Sequence, residues 1–312
     1  VRTISYREAI GEALAQEMAR DRSVVFMGEA GGGRGVAEDL FPGRVLDAPA
    51  AESAFVGAAI GAATRGQRPV AAPASGGSCF DQVFNQAAKF RYLLGGTART
   101  PVVIRMTYGH SQCLYPVFTH VPGLKVVVPS TPYEAKGLLA QAIRDDDPVV
   151  FCEHTALYDT TGEVPEDSYT IPFGEANVVR EGGDVTIVAI GRMVAVAAEA
   201  AGELAAGGIE AQVVDPRTTS PLDAGTILES VGITGRLVVV DEAPPRCNLA
   251  TDISALVAKE AFGSLRAPIE MVTPPHTPVP FSDALEDLYL PDAQKVLNAA
   301  KAVVEYRRAP SR

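Results

Sequence analysis

The sequence predicts an α/β protein of two domains, each a mostly parallel sheet flanked by helices. Three observations carry this. The chain has 312 residues, long for one domain and comfortable for two. Short apolar runs alternate with stretches whose apolar positions recur at helical spacing, the pattern of parallel strands covered on both faces. A polar stretch over 160–181, with Pro165, Pro172 and several glycines, separates two such alternations. It places the boundary between a first domain at 1–175 and a second at 182–312.

The first alternation opens on Ser5-Tyr6-Arg7-Glu8, a capping box in which serine and glutamate satisfy each other's orphan backbone donors. Ile10, Leu14 and Met18 then recur at helical spacing. Residues 24–27 form a short apolar run, read as a buried strand, and the loop after it carries Gly31, Gly32, Gly33 and Gly35. Residues 56–63 are a helix of small side chains; 102–105 and 124–128 are strands. Thr131-Pro132-Tyr133-Glu134 is read as a second capping box, with proline where its missing N–H costs nothing. Its helix runs to about Arg144, and a strand at 149–151 closes the unit. In the second alternation, strands at 185–190, 211–214, 237–240 and 269–272 are separated by helical patterns, and a last helix lies near 291–305.

Composition narrows the function. Hydrophobic residues make up 47% and charged residues 21%, an ordinary globular balance. A net charge of −11 and a pI near 4.9 repel phosphate backbones, so no nucleic-acid partner is expected. Four cysteines without a CxxC pair argue against a zinc knuckle and a disulfide framework, and for a reducing compartment. No stretch is apolar and long enough to span a membrane, and residues 1–22 read as a helix rather than a signal peptide. The expected location is cytoplasmic. GxGxxG opening a helix, GxxxxGK[ST], GxSxG and HExxH are all missing, which disfavours a nicotinamide domain, a P-loop enzyme, a serine hydrolase and a zinc peptidase.

Ligands of parallel sheets gather at the carboxyl ends of strands, where Glu29, Glu153, Asp241 and Glu242 lie. Glu52 heads the small-residue helix. Its carboxylate either complements the helix dipole or faces a ring that the small side chains let approach. His110-Ser111-Gln112-Cys113 follows a strand; its histidine either is a hydrogen-bonded structural residue or moves a proton near neutral pH. His120 reads as packed among Val117, Phe118 and Val121. His154 and His276 have no catalytic context.

At these segments the chain resembles the beta subunit of pyruvate, branched-chain 2-oxo acid and acetoin dehydrogenases, within the transketolase-like superfamily. The matching phrases include Met27-Gly28-Glu29, APAAES at 48–53, Phe80-Asp81-Gln82-Val83 with Ala87-Ala88-Lys89, HSQC at 110–113, and His120-Val121-Pro122-Gly123-Leu124-Lys125. Pro129-Ser130-Thr131-Pro132, Ala142-Ile143-Arg144-Asp145, Asp215-Pro216-Arg217-Thr218 and Val279-Pro280-Phe281 complete them. The resemblance implies a transketolase-like pyrimidine-binding domain followed by a transketolase C-terminal-like domain. It implies thiamine diphosphate as cofactor, with Glu52 on the pyrimidine ring nitrogen and Glu29 and Phe80 in the cofactor pocket. It makes His110 the residue that assists substrate binding or acyl transfer. Ala142, Ile143, Asp145 and Asp147 match a stretch that holds a structural potassium ion in relatives; an ordinary acidic loop is the equal alternative.

The magnesium–diphosphate motif, GDG followed by NN, is missing. Gly182-Gly183-Asp184 stands without a downstream NN. The resemblance therefore implies an alpha subunit that holds magnesium and diphosphate, in an assembly of two alpha and two beta chains. It also implies a 2-oxo acid substrate and a lipoyl acyltransferase as acceptor. The chain departs from the family at 73–80, which is shorter and lacks the aromatic that packs on the pyrimidine, and in the shortened loop between Arg105 and His110. A two-subunit acyloin-forming or ketol-transferring enzyme and a non-catalytic partner subunit are the alternative readings.

Overall fold

The computed structural model describes residues 1–28, 37–73, 76–109 and 112–307; Glu29 and His110 lie outside the described residues. The chain divides into two compact units. The first is Val1–Gly109, Val117–Phe173 and Thr218–Pro221; the second is His110–Pro116, Gly174–Arg217 and Leu222–Arg312.

Along the chain come β1 (Arg2–Ser5), α1 (Tyr6–Arg20), β2 (Val24–Gly28), α2 (Ala37–Leu40), β3 (Val45–Asp47), α3 (Glu52–Ala63), β4 (Arg68–Ala72), α4 (Phe90–Leu93) and β5 (Val103–Tyr108). They are followed by α5 (Tyr115–Thr119), β6 (Lys125–Val127), α6 (Pro132–Arg144), β7 (Val149–His154), β8 (Thr161–Val164), β9 (Asn177–Arg180), β10 (Val185–Ala189), α7 (Met193–Ala206), β11 (Ala211–Asp215) and β12 (Thr218–Ser220). The last are α8 (Ala224–Thr234), β13 (Leu237–Val240), α9 (Leu249–Glu260), β14 (Glu270–Val272), α10 (Asp283–Tyr289) and α11 (Ala293–Glu305).

Among the described residues, the first unit holds a seven-stranded sheet in the order β12-β6-β7-β5-β4-β2-β3. Its strands run parallel except β12, which pairs antiparallel with β6. The capping box at Ser5 and Glu8 is complete. It starts α1, whose Ile10, Leu14 and Met18 pack with Phe26, Leu138, Leu139 and Phe151 in one core cluster. Each such side chain contributes about 1.5–3 kcal/mol by leaving water. The second box forms only in part. Thr131 accepts the Glu134 N–H, but the Glu134 carboxylate takes the N–H and hydroxyl of Ser130, one residue earlier than expected. The strands β3, β4 and β12 were not read from the sequence; they run Val-Leu-Asp, Arg-Pro-Val-Ala-Ala and Thr-Thr-Ser.

The centre of this sheet carries a buried ion pair. Arg105 on β5 donates from Nε and Nη2 to the two oxygens of Glu153 on β7, at 2.6 and 3.0 Å. Both residues are buried, and the Tyr158 hydroxyl adds a bond to Glu153 at 3.0 Å. Charges are tolerated inside a sheet only when paired and hydrogen-bonded in this way.

The second unit's sheet runs β14-β13-β10-β11-β9, parallel except for β9. Met193, Ala197, Ala201 and Leu204 of α7 and Val296, Ala300 and Val303 of α11 pack with Ile187, Val213, Val238 and Val240. The alanines let α7 lie close to the strands. Gly182 is pressed on β11, where a Cβ would meet the Ala211 carbonyl carbon at 2.3 Å, and the Asp184 carboxylate accepts the Glu210 N–H at 2.8 Å. The Gly182-Gly183-Asp184 segment thus has a packing role in joining β9 to β10.

Replacing Arg105 by Leu strands the Glu153 charge. Chemical denaturation should show a loss of about 3–5 kcal/mol, and adding Glu153→Leu should restore most of it. A double variant as unstable as the sum of the singles would show that the pair is not what holds these strands.

Candidate active site

Glu52 is the first residue of α3. The preceding residue, Ala51, gives no side-chain cap, so the positive end of the helix is left for the Glu52 carboxylate. The half-buried carboxylate accepts a hydrogen bond from the Ser78 hydroxyl, and the Ser53 hydroxyl donates to the Ser78 carbonyl. Two bonds therefore tie the head of α3 to the 3-10 turn Gly77–Cys79. Burial pushes the neighbouring Cys79 thiol up to about 12, with the charge of Glu52 adding to the shift. The thiol stays protonated and does not compete as an anion.

Beyond the turn, Gln82–Ala87 is a π-helix, closed by the Ala88 N–H on the Val83 carbonyl at 3.0 Å. Such turns are rare and collect at functional sites. It presents Gln82 toward α3, with Gln82 Cγ 3.5 Å from where a Cβ on Gly57 would stand. The Gln82 Oε1 is buried and has no hydrogen-bond partner, an omission that costs free energy unless a donor arrives. A carboxylate at the head of the small-residue helix and an unsatisfied amide oxygen opposite Gly57 are the kinds of group that a ring nitrogen and an amino group of an aminopyrimidine pair with. The residues present fit thiamine diphosphate at this end.

Phe80 is half-buried. Its ring stacks on Phe84 at 4.9 Å and meets the edge of Phe118 at 5.6 Å. One face is thus taken by the protein. Phe80, Phe84 and His120 line an open groove of about 440 Å³. His120 is exposed there, not packed as its apolar neighbours suggested, because the chain bends at 120–123 after α5.

The acidic loop after α6 behaves differently. Arg68 Nη1 donates to the carbonyls of Ile143 and Asp145 at 3.1 and 2.8 Å, and Nη2 to the Asp146 carboxylate at 2.6 Å. The Ala142 carbonyl accepts the Asp145 N–H. Lys125 Nζ holds both oxygens of Asp145 at 2.7 and 2.8 Å, and Arg91 pairs with Asp147. Burial works against ionising Asp147, but the Arg91 and Lys125 cations outweigh it and hold its carboxyl below the usual range. Ala142, Ile143, Asp145 and Asp147 are all engaged by the chain's own donors, and as folded they do not fit a potassium site. Among the described residues, no group of three or more His, Cys, Asp or Glu is arranged to hold a metal.

The remaining candidates separate. Glu153 is spent on Arg105. His154 is buried, accepts the Ala156 N–H at Nδ1 over 3.0 Å, and packs its ring edge to face with Tyr108. Asp241 is buried in the second unit with backbone and tyrosine partners. Ser78 carried no sequence signal, since it meets Glu52 across 26 positions; Gln82 stood in a matching phrase but without a role, which the π-turn that aims it at α3 suggests.

Comparison with known proteins agrees with this layout. Residues 2–161 match the transketolase pyrimidine-binding domain and 174–296 the transketolase C-terminal domain. The chain is 59% identical to the beta subunit of acetoin:2,6-dichlorophenolindophenol oxidoreductase from Cupriavidus necator over 332 aligned positions, 97% of this chain and 98% of that protein. Since the alignment is longer than the chain, the relative has internal residues that this chain does not. Identity is 43% to the pyruvate dehydrogenase E1 beta subunit of Bacillus subtilis, covering 96% of this chain and 98% of the relative. It is 38% to the 2-oxoisovalerate dehydrogenase beta subunit of the same organism, covering 97% and 99%. A solved structure described as a split-gene transketolase, inactive beta4 tetramer, superposes with a TM-score of 0.83 at 25% identity, covering 98% of this chain and 99% of that one. With both domains matched in order and identity sustained along nearly the whole chain, this protein belongs to the transketolase-like family of 2-oxo acid dehydrogenase beta subunits.

Proposed function

We propose that the chain is the beta subunit of a thiamine-diphosphate-dependent 2-oxo acid dehydrogenase, active only with an alpha subunit. The observation that carries this is the Glu52 carboxylate, oriented by Ser78 at the head of the small-residue helix α3, along which Gln82 holds an unsatisfied oxygen opposite Gly57. When bound, the cofactor supplies an electron sink for breaking the bond next to the substrate carbonyl. Glu52 holds the proton at the pyrimidine ring nitrogen. Ser78 fixes the carboxylate's orientation, and Gln82 accepts from the ring's amino group. Glu29 and Phe80 are assigned to cofactor binding as well. His110 holds or delivers a proton at the acyl or acceptor end.

The alpha subunit is assigned the magnesium ion and the diphosphate, in an assembly of two alpha and two beta chains in the cytoplasm, with a lipoyl acyltransferase as acceptor. Among the described residues, no helix is long and apolar enough to cross a membrane. The working halves of the chain are assigned to 1–175 and 182–312. A second reading has direct support. The relative at 59% identity is named for acetoin, which favours an acyloin over a simple 2-oxo acid as substrate. Co-expression with an alpha chain, followed by dye reduction with acetoin, pyruvate and branched-chain 2-oxo acids, separates the two. Activity on none of them would leave a non-catalytic subunit.

Glu52→Gln should leave assembly intact and lower turnover by two to three orders of magnitude, since a lost charge-assisted contact of this kind costs about 2–4 kcal/mol of transition-state stabilisation. Steady-state kinetics on the assembled variant measures this, and half-normal activity would remove Glu52 from the chemistry. The chain alone should bind thiamine diphosphate weakly, because diphosphate binding needs the metal and its oxygen ligands. Calorimetry is expected to show no submicromolar site without alpha; finding one would mean that this chain binds the diphosphate unaided.

A further inference from the structure

The α10 helix (Asp283–Tyr289) exposes its apolar side. Leu288 is 74% and Leu285 54% exposed, and Phe281, two residues before the helix, is fully exposed. Leu285 and Leu288 are three positions apart, so they are neighbours on one helix face. The side turned inward carries Glu286 and Tyr289 instead, both buried. Single apolar side chains at a surface are ordinary. A cluster of them, with the polar neighbours turned inward, marks a surface that meets another molecule. The phrase Val279-Pro280-Phe281, which the resemblance singled out, ends on a side chain that the fold leaves in water.

The helix is held in this orientation. The Tyr289 hydroxyl donates to the Thr277 carbonyl at 3.1 Å, and burial raises its phenol, so it stays a donor. Lys295 of α11 donates to the carbonyls of Leu288 and Leu290 at 3.0 and 2.6 Å. These lie at the end of α10, where carbonyls lack partners within the helix. The α11 helix is fixed in turn, since its Val296, Ala300 and Val303 pack in the core of the second unit. Rolling α10 to hide the leucines would break these bonds and bring Tyr289 into water.

The charge around this face narrows what covers it. From 267 to 294 the sequence holds no lysine or arginine, but it holds Glu270, Asp283, Glu286, Asp287 and Asp292. Asp283 and Asp287 are exposed on α10 itself, while Asp292 pairs with Lys295. A second copy of the chain would bring the same face onto itself about a two-fold axis. That sets the Asp283 and Asp287 carboxylates of two copies together, on chains of net charge −11, and like charges at an interface oppose association. A partner with an apolar centre and a rim of lysine or arginine meets no such penalty. We propose that Phe281 and the exposed face of α10 dock the alpha subunit, which covers them with an apolar patch rimmed by basic side chains. The proposal rests on the reading of the chain as a beta subunit that works with alpha.

The test measures binding of the full chain to alpha by analytical ultracentrifugation. It compares the wild type with Leu285→Asp plus Leu288→Asp, and with Phe281→Ser. The paired leucine change should weaken the complex about thirtyfold or more, and Phe281→Ser about tenfold, the scale of losing central apolar anchors. Each variant alone should melt like the wild type, because these side chains are exposed in the single chain. Should the leucine pair fail to fold, Phe281→Ser, which lies outside the helix, decides. Asp287→Lys should slow association and flatten its dependence on salt; an unchanged salt dependence overturns the basic rim. Wild-type affinity in the folded variants overturns the proposal. So does a dimer of the chain alone that the leucine pair dissolves, since a second copy then holds the face. If the wild type does not bind alpha at all, the beta-subunit reading has failed, and the proposal falls with it.

Discussion

The Arg105–Glu153 ion pair ties together two adjacent strands near the middle of the first sheet, and its burial dictates what can surround it. Two charges removed from water need every remaining lone pair and proton satisfied. Tyr158 supplies a hydroxyl to Glu153. Burial first, and the Glu153 charge next, push the Tyr158 phenol up, so it remains a donor. The same causes act on Tyr6, whose hydroxyl reaches the Pro129 carbonyl. With β5 and β7 held in register from Val103 on Val149 to Tyr108 on His154, the two strands end at a fixed edge. The turn at Gly109 and the ring of His154 meet at that edge.

The carboxylates are held in different ways according to where the fold places them. Glu153 is neutralised by a guanidinium inside the sheet. Asp241 is buried, and burial lifts it to about 6 against the pull of Tyr115 and three backbone amides. Asp145, Asp146 and Asp147 are paired with Lys125, Arg68, Arg99 and Arg91 at the surface of the same sheet. Glu52 is held differently, half-buried and by a serine hydroxyl at the head of a helix. A hydroxyl orients a carboxylate without cancelling its charge.

The sequence by itself determined what depends on near neighbours. The reciprocal box at Ser5 and Glu8, the α1 stripe of Ile10, Leu14 and Met18, and the buried runs that became β2, β10, β11 and β13 were legible because each is set by contacts within a turn or a strand. The family was legible because its phrases recur in order along the chain. The tertiary structure alone decided the pairings between distant residues. Ser78 meets Glu52 across 26 positions, Arg68 reaches the Ile143 carbonyl across 75, and Tyr115 reaches Asp241 across 126. It also decided that Thr218–Pro221 joins the first unit and that residues 112–116 join the second. An arginine filling the carbonyls suggested for potassium, and a glutamate turning to Ser130 rather than Thr131, are outcomes of competition among partners that local pattern does not contain. Chain separation hides such contacts from a reading by periodicity, and the folded chain selects them by which buried polar groups must find a partner.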